Sequence, residues 1–264
     1  MPIRLRSAGV SDVGAFRDVN QDAAFTAPWG SAVADGVGGG PSGDLASAAL
    51  IHRLVAGRVS VADAEALAVR IREANWDLRA HVQRDEALRG MATTFTGLFV
   101  SQTGRLLLAH TGDSRAYLLR GGVLTRETRD DSFVQALVDH GLIAAEAAAS
   151  HPRRNIITAS LAGAEDDAAH VVDREPRPGD RWLLCSDGVT DYLSDDELMR
   201  ALAVAQSPEA AAAALVAAAL EAGTRDNATA VVCDVENAPD SPPDDRPTFY
   251  GAAADRFCEE LDSA

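Results

Sequence analysis

Lysine is missing from this chain: all 24 of its basic residues are arginine. That absence excludes a phosphate-loop lysine, a Schiff-base lysine and a Ser-Lys dyad, and with them Walker-type nucleotide hydrolysis. Basic charge of any kind is outnumbered. Forty acids against 24 arginines give a formal net charge of -16, so the surface lacks the positive footprint that nucleic acid or an anionic membrane requires. Cysteine is scarce. Cys185, Cys233 and Cys258 are too few and too scattered for a disulfide framework or a closed thiolate zinc site, which fits a reducing cytoplasm. Nor is there an apolar run of membrane-spanning length. The N-terminus carries Arg4 and Arg6 where a signal peptide needs its hydrophobic stretch, and the longest candidate, residues 210–220, is mostly alanine. The expectation is a soluble protein.

What is present is a 264-residue chain with 47% hydrophobic content, enough for one substantial core. Strand-like apolar runs occupy 31–34, 95–100, 105–109, 116–119, 181–185 and 229–235, and Gly121-Gly122 predicts a hairpin after 116–119. Helical periodicity marks 43–57, 62–84, 195–205 and 208–222. Strands grouped in runs and helices in pairs predict antiparallel sheets covered by helices, an α+β layered sandwich. Residues 126–166 are more polar than their flanks and carry two short helical stretches, near 132–140 and 144–149. They read as an insertion, a flap over the sheets. From Glu236 to Ala264 the composition shifts again, with four prolines and eight acids against Arg246 and Arg256. This segment reads as an acidic linker with at most a short helix at 252–261, leaving 1–235 as the main domain.

Carboxylates recur where strands stop. Ser31 to Val37 and Leu183 to Val189 each run an apolar strand into Asp-Gly, at Asp35-Gly36 and Asp187-Gly188. Asp113 follows the run 106–109 through Gly112, Asp226 precedes the run 229–235, and Asp22 is a fifth acid of this kind. Any one Asp-Gly pair is ordinary turn chemistry. Taken jointly, strand ends on one edge of a sandwich converge, and converging carboxylates repel unless cations neutralise them. Oxygen donors without nearby histidine select Mg²⁺ or Mn²⁺ over zinc. Gly36 permits close backbone approach and a carbonyl ligand.

Eight motifs stand in order along residues 5–235: Arg17-x-x-Asn20-Gln21-Asp22, Asp35-Gly36-x-Gly38-Gly39, Gly43-Asp44-x-Ala46-Ser47, Met91-Ala92-Thr93-Thr94, His110-x-Gly112-Asp113-Ser114-Arg115, His151-Pro152-x-x-Asn155, Ser186-Asp187-Gly188-Val189-x-Asp191 and Asp226-Asn227-x-Thr229. Together they resemble the metal-dependent (type 2C) serine/threonine protein phosphatases in their compact bacterial form. The resemblance implies a four-layer α-β-β-α sandwich with a binuclear Mn²⁺/Mg²⁺ centre between the sheets, and hydrolysis of phosphoserine and phosphothreonine by direct attack of a metal-bridging water.

By the same resemblance, Asp35 bridges the two core ions, Gly36 lends its carbonyl, and Asp187 and Asp226 hold the second ion. Asp22 and Gln21 match an acidic pair acting largely through water, although Gln21 stands where relatives often carry Glu. Arg17 matches a phosphate-binding arginine. Asp113, Asp187 and Asp191 match a weaker third-ion site, and 126–166 a flap. Relatives commonly place histidine where Val37 or Gly40 stands here, so the usual candidate general acids are missing, and His110 and His151 read as structural. A cysteine nucleophile fails on spacing, because Asp191, Pro239 and Ala264 stand where the arginine six residues on would be needed. Phosphorylated proteins, a Ser/Thr kinase and its substrates are the implied partners of a monomeric cytoplasmic enzyme. Two alternatives stay open: a catalytically weak relative acting as a phosphoprotein-binding scaffold, and a metal phosphoesterase on a small metabolite.

Overall fold

Strand β10 (Arg181–Cys185) shows how the layers arise. Side chains alternate across a strand, so Trp182 and Leu184 point one way while Leu183 and Cys185 point the other. The first pair enters a core shared with Leu5, Val33, Leu98, Leu108 and Val231, and the second a core shared with Leu198, Leu202 and Leu215. A strand buried on both faces needs a sheet on one side and helices on the other.

A computed structural model describes residues 2–37, 42–56, 61–238 and 245–256. Its strands are β1 (Ile3–Asp12), β2 (Asp22–Ala27), β3 (Gly30–Val37), β4 (Ala92–Thr93), β5 (Phe95–Val100), β6 (Leu106–Thr111), β7 (Arg115–Arg120), β8 (Val123–Arg126), β9 (His170–Arg174), β10, β11 (Ala228–Asn237) and β12 (Thr248–Gly251). Its helices are α1 (Gly43–Val55), α2 (Ala64–Arg84), α3 (Phe133–Asp139), α4 (Ala145–Ala148), α5 (Asp187–Thr190), α6 (Asp195–Val204), α7 (Pro208–Glu221) and α8 (Ala252–Asp255). One sheet runs β1-β11-β10-β7-β8, the other β12-β2-β3-β5-β6-β9 with β4 on β3, and every pairing is antiparallel. Helices α1 and α2 cover the outer face of the second sheet through Leu50, Ile51, Leu67, Ile71 and Leu78, and α6 and α7 cover the first. The result is the α-β-β-α sandwich expected from the sequence. Among the described residues no helix is long and apolar enough to cross a membrane.

Local signals explain the boundaries that were legible. Gly121 and Gly122 have φ of +58° and +81°, the left-handed pair that a two-residue turn between β7 and β8 needs. Ser194 and Glu197 form a capping box on α6, and Ser207 caps α7 ahead of Pro208.

Five strands depart from the sequence reading. β2 and the two-residue β4 lie outside every predicted strand run, yet β2 is buried along its length between β3 and β12, and β4 pairs with β3. β1 and β9 carry arginine, aspartate and histidine and lack a clean apolar run, yet β1 pairs with β11 over its whole length and β9 edges the second sheet beside β6. Part of the C-terminal segment is also strand: Thr248–Gly251 pairs with β2, so the reading of residues after 235 as a linker with at most a helix is corrected. Pairing partners rather than local pattern decide such short strands. Of the predicted helix at 252–261, α8 accounts for Ala252–Asp255, and residues 257–261 lie outside the described residues.

Candidate metal centre

Asp22 and Asp35 are direct register partners across β2 and β3. Ala24 and Val33, two residues along each strand, belong to the core between the sheets, so period-2 alternation aims both carboxylates into the same gap at its open end. Like charges placed directly opposite repel. Burial pushes the Asp22 carboxyl up to about 6, against hydrogen bonds from Thr229 and Ser186 that favour the charged form. Asp35 is raised well above the usual carboxylate range, by burial first and then by Asp22, Asp187, Asp113 and Asp226 in turn.

The other sheet delivers the remaining acids. Ser186 follows β10 and is the N-cap of α5, and its hydroxyl crosses the gap to donate to Asp22 Oδ2 at 2.7 Å while accepting the Thr229 amide at 3.1 Å. Asp187, next in the chain, is raised by burial and then by Asp113, Asp191, Asp226 and Asp22. Asp113 sits in the turn after β6, 9% exposed, and burial with neighbouring Asp130 lifts it to about 7 despite Arg115. Its Oδ1 is buried with no hydrogen-bond partner. Asp191 closes α5 and faces the Arg154 guanidinium at 3.6 Å. It too is raised by burial, with Arg115 and Arg154 opposing. Asp113, Asp187 and Asp191 line a cavity of about 270 Å³ together with residues of α3 and α4.

Gly36 and Gly188 make this assembly possible. A Cβ on Gly36 would lie 2.7 Å from the Gly43 Cα, and one on Gly188 would lie 2.9 Å from the Asn227 carbonyl carbon. Backbone from the first residue of α1 and from Asn227, just ahead of β11, therefore presses directly on the two Asp-Gly pairs.

Arg17 and Asp226 stand at the rim. Arg17 Nη2 donates to Asp226 Oδ2 at 2.6 Å and its Nε to the Arg225 carbonyl at 3.4 Å, so the guanidinium neutralises one of the site's own acids. Gln21 takes part through its main chain: its carbonyl accepts the Gly36 amide at 3.1 Å and the Ser47 hydroxyl at 2.6 Å.

Asn227 was quoted in the sequence motif without a role, and the structure supplies one. Its Oδ1 accepts the Gln21 amide at 2.8 Å, and its Nδ2 donates to the Val13 and Val19 carbonyls at 2.9 and 3.1 Å. One buried side chain thus fixes the whole loop that carries Arg17. Asp131 acts similarly on Asp113, accepting the Gly112 amide at 3.0 Å. Neither residue type signals such a role in sequence. His110 spends both ring nitrogens on structure, Nδ1 with Thr96 Oγ1 at 2.9 Å and Nε2 with the Arg129 carbonyl at 3.0 Å. Of the two positions where relatives carry histidine, Val37 ends β3 and Gly40 lies outside the described residues.

Among the described residues no three His, Cys, Asp or Glu side chains are gathered into a self-sufficient ion cage. Mg²⁺-like ions do not ask for one, since they keep several waters and take one or two carboxylates each. The chemistry here fits them. The donors are all oxygen, the carboxylates lie close enough to raise one another, Asp22 and Asp113 are buried, and Asp113 Oδ1 has no hydrogen-bond partner among the described residues.

Comparison with known proteins gives a consistent result. A model of the family described as protein phosphatase 2C matches residues 17–222. The serine/threonine protein phosphatase PstP of Mycobacterium tuberculosis is 43% identical over 236 residues, 88% of this chain and 45% of that protein. The serine/threonine phosphatase stp of Listeria monocytogenes is 31% identical over 211 residues, 76% of this chain and 82% of that protein. A crystal structure of the PstP catalytic domain in complex with two manganese ions superposes with a TM-score of 0.81 at 39% identity, covering 89% of this chain and all of that one. The chain therefore spans less than half the length of the mycobacterial relative.

Proposed function

The chain belongs to the protein phosphatase 2C family, and from that premise we propose that it hydrolyses phosphoserine and phosphothreonine in proteins, in dependence on Mn²⁺ or Mg²⁺. The observation that carries the proposal is the convergence of Asp22 and Asp35 from one sheet with Asp187 from the other at one end of the gap, Asp22 buried and the other two half-buried. Carboxylates crowded in this way are tolerated at neutral pH only if protons or cations share the space, and oxygen donors suit divalent cations. When bound there, such ions would supply charge neutralisation and hydroxide at neutral pH.

The chain's own residues do the rest. Asp35, Asp187 and Asp226, with the Gly36 carbonyl, would hold the two core ions. Asp22, fixed by the Ser186 hydroxyl, would orient water in their shell. Asp113 and Asp191 with Asp187 would serve a weaker third ion. Arg17 is exposed enough at the rim to reach a phosphoryl group, and its planar fork can clamp two phosphate oxygens at once. Its bond to Asp226 would put that clamp beside a carboxylate that this reading assigns to an ion. Among the described residues a cysteine phosphoenzyme is disfavoured, because burial pushes the Cys185 thiol up to about 12 and Cys233 to about 11. Those two buried, unpaired thiols suit a reducing cytoplasm. The substrates would be phosphoproteins made by a Ser/Thr kinase, and the enzyme would act as a monomer.

The test is purified protein on phosphoserine, phosphothreonine and phosphotyrosine peptides with Mn²⁺, Mg²⁺ or chelator. Turnover of the first two, with Mn²⁺ at least as good as Mg²⁺ and none after exhaustive chelation, is expected. Full activity after chelation would end the metal reading. Peptide binding without turnover would favour a scaffold, and turnover restricted to small phosphate esters a metabolite phosphoesterase.

A further inference from the structure

The C-terminal segment has no part in the proposed reaction, yet it lies against the acidic end of the molecule. β12 extends the second sheet along the β2 edge with Gly251 opposite Ala23, the residue after Asp22. Gly251 has φ +59°, and a Cβ there would lie 2.7 Å from the Ser11 hydroxyl and press on the Asp22 carbonyl, so only glycine lets the segment pass. The chain then enters α8, whose Ala252 and Ala253 are buried in the core shared with α1. His52 of α1 donates its Nε2–H to the Ala253 carbonyl at 2.7 Å and stacks on Phe249 with ring centroids 4.3 Å apart. Directly after α8, Arg256 Nε donates to Asp44 Oδ2 at 2.7 Å, and its Nη2 reaches the same oxygen. Asp44 is 6% exposed, and its other oxygen is buried without a partner among the described residues. A buried carboxylate so placed depends on its cation.

Asp44 is the second residue of α1, and the first turn of α1 is what the site rests on. Gly43 packs on Gly36 and on the Gln21 side chain, where an added Cβ would lie 2.9 Å from Gln21 Cδ. Ser47, one turn later, holds the Gln21 carbonyl at 2.6 Å. A displacement of this turn would carry Gly36 and Gln21 with it.

We propose that Arg256 is a positioning residue: through Asp44 it locks the first turn of α1 against Gly36 and Gln21, so that the C-terminal strand and α8 hold the β2–β3 side of the site ready for an ion. The inference rests on the metal reading above only for its second readout. The experiment uses the full chain and two variants, Arg256→Gln and Arg256→Lys. In metal-free protein, hydrogen exchange of the Gly36 amide, bonded to the Gln21 carbonyl at 3.1 Å, reports the turn directly. Calorimetric titration with Mn²⁺ reports the site. Arg256→Gln should speed Gly36 exchange and weaken Mn²⁺ binding by about three- to tenfold, less than the roughly 10–100-fold cost of losing a group that bonds a metal ligand directly. Arg256→Lys should restore most of both, and kcat on phosphopeptide at saturating Mn²⁺ should stay within about twofold. Gly36 exchange equal to the parent's would overturn the proposal, as would unchanged Mn²⁺ affinity in a variant that is merely less heat-stable. If the parent chain bound no Mn²⁺, the proposed function would fall, and Gly36 exchange alone would decide the role of Arg256.

Discussion

The two Asp-Gly pairs share a sequence and differ in structure. Asp35-Gly36 stays inside strand β3, which continues to Val37 and pairs there with β4, whereas Asp187-Gly188 opens helix α5 behind its Ser186 cap. Turn chemistry explains neither, since neither glycine adopts positive φ. What they have in common is a second backbone pressed onto the glycine, Gly43 on Gly36 and Asn227 on Gly188. The dipeptide is therefore a device for bringing a foreign main chain beside a carboxylate, and it works in an extended or a helical setting alike.

The strongest test of that comparison is to fill both spaces. Gly188→Ala should be the worse variant, because the Asn227 backbone it displaces belongs to the residue that fixes the Val13–Gln21 loop. Gly36→Ala should follow, pushing on the first turn of α1. Each should lose about 3 kcal/mol or more of unfolding free energy by urea titration, since backbone cannot swing aside as a side chain can. Parent-like stability in both would return the glycines to ordinary turn chemistry.

A second pair of neighbours sharpens the contrast between the inner acids and the flap side. Asp113 interacts with Asp187, Asp130 and Asp191, and it bears on Asp35 less than Asp22 and Asp187 do. Asp113→Ala should keep two Mn²⁺ sites by calorimetry yet lose about ten- to a hundredfold in rate on phosphoserine peptide, whose alkoxide leaving group needs a proton. The loss on p-nitrophenyl phosphate, whose leaving group does not, should be far smaller. Equal losses would remove Asp113 from protonation, and loss of a core ion would place it with the inner pair.

Most of the layered fold was legible because β3, β5, β6, β7, β10 and β11 are buried apolar runs, α1, α2 and α6 keep a 3.6-residue period, and α7 is an alanine-rich run behind Ser207 and Pro208. β1, β2, β9 and β12 were not: β1 and β9 carry Arg, Asp or His, β2 has Phe25 as its one large apolar residue, and β12 is four residues long, so their pairing partners decide them. At the site, carboxylates at strand ends could be read directly, since their chemistry is written in residue type. Asn227, Ser186, Asp131 and Arg256 could not. Each matters for what it bonds across the fold, at separations of 206 residues for Asn227 with Gln21 and 212 for Arg256 with Asp44. Arg17 shows the intermediate case: its guanidinium chemistry was legible, but its bond to Asp226 emerges only from the fold.

The smallest expected effect concerns pH, and it separates Asp22 from Asp113. Both carboxyls are raised by folding from the ordinary value of 3.8, Asp22 to about 6 and Asp113 to about 7, chiefly by burial. An acid raised in the fold favours folding while protonated in both states, and that contribution is lost as pH climbs through the folded value. Metal-free protein should therefore lose several degrees of Tm between pH 5 and pH 8. Buried His110, whose value is lowered, works in the opposite sense and costs stability only as the solution becomes acidic. Asp22→Asn should flatten the lower part of the decline and Asp113→Asn the upper part, because each variant removes one titration. Added Mn²⁺ should raise Tm more at pH 8 than at pH 5.5, where protons compete for the same oxygens. Scanning calorimetry of chelated and Mn²⁺-loaded protein reads all of this, and a Tm independent of pH in the metal-free chain would show that the buried acids are not in strain.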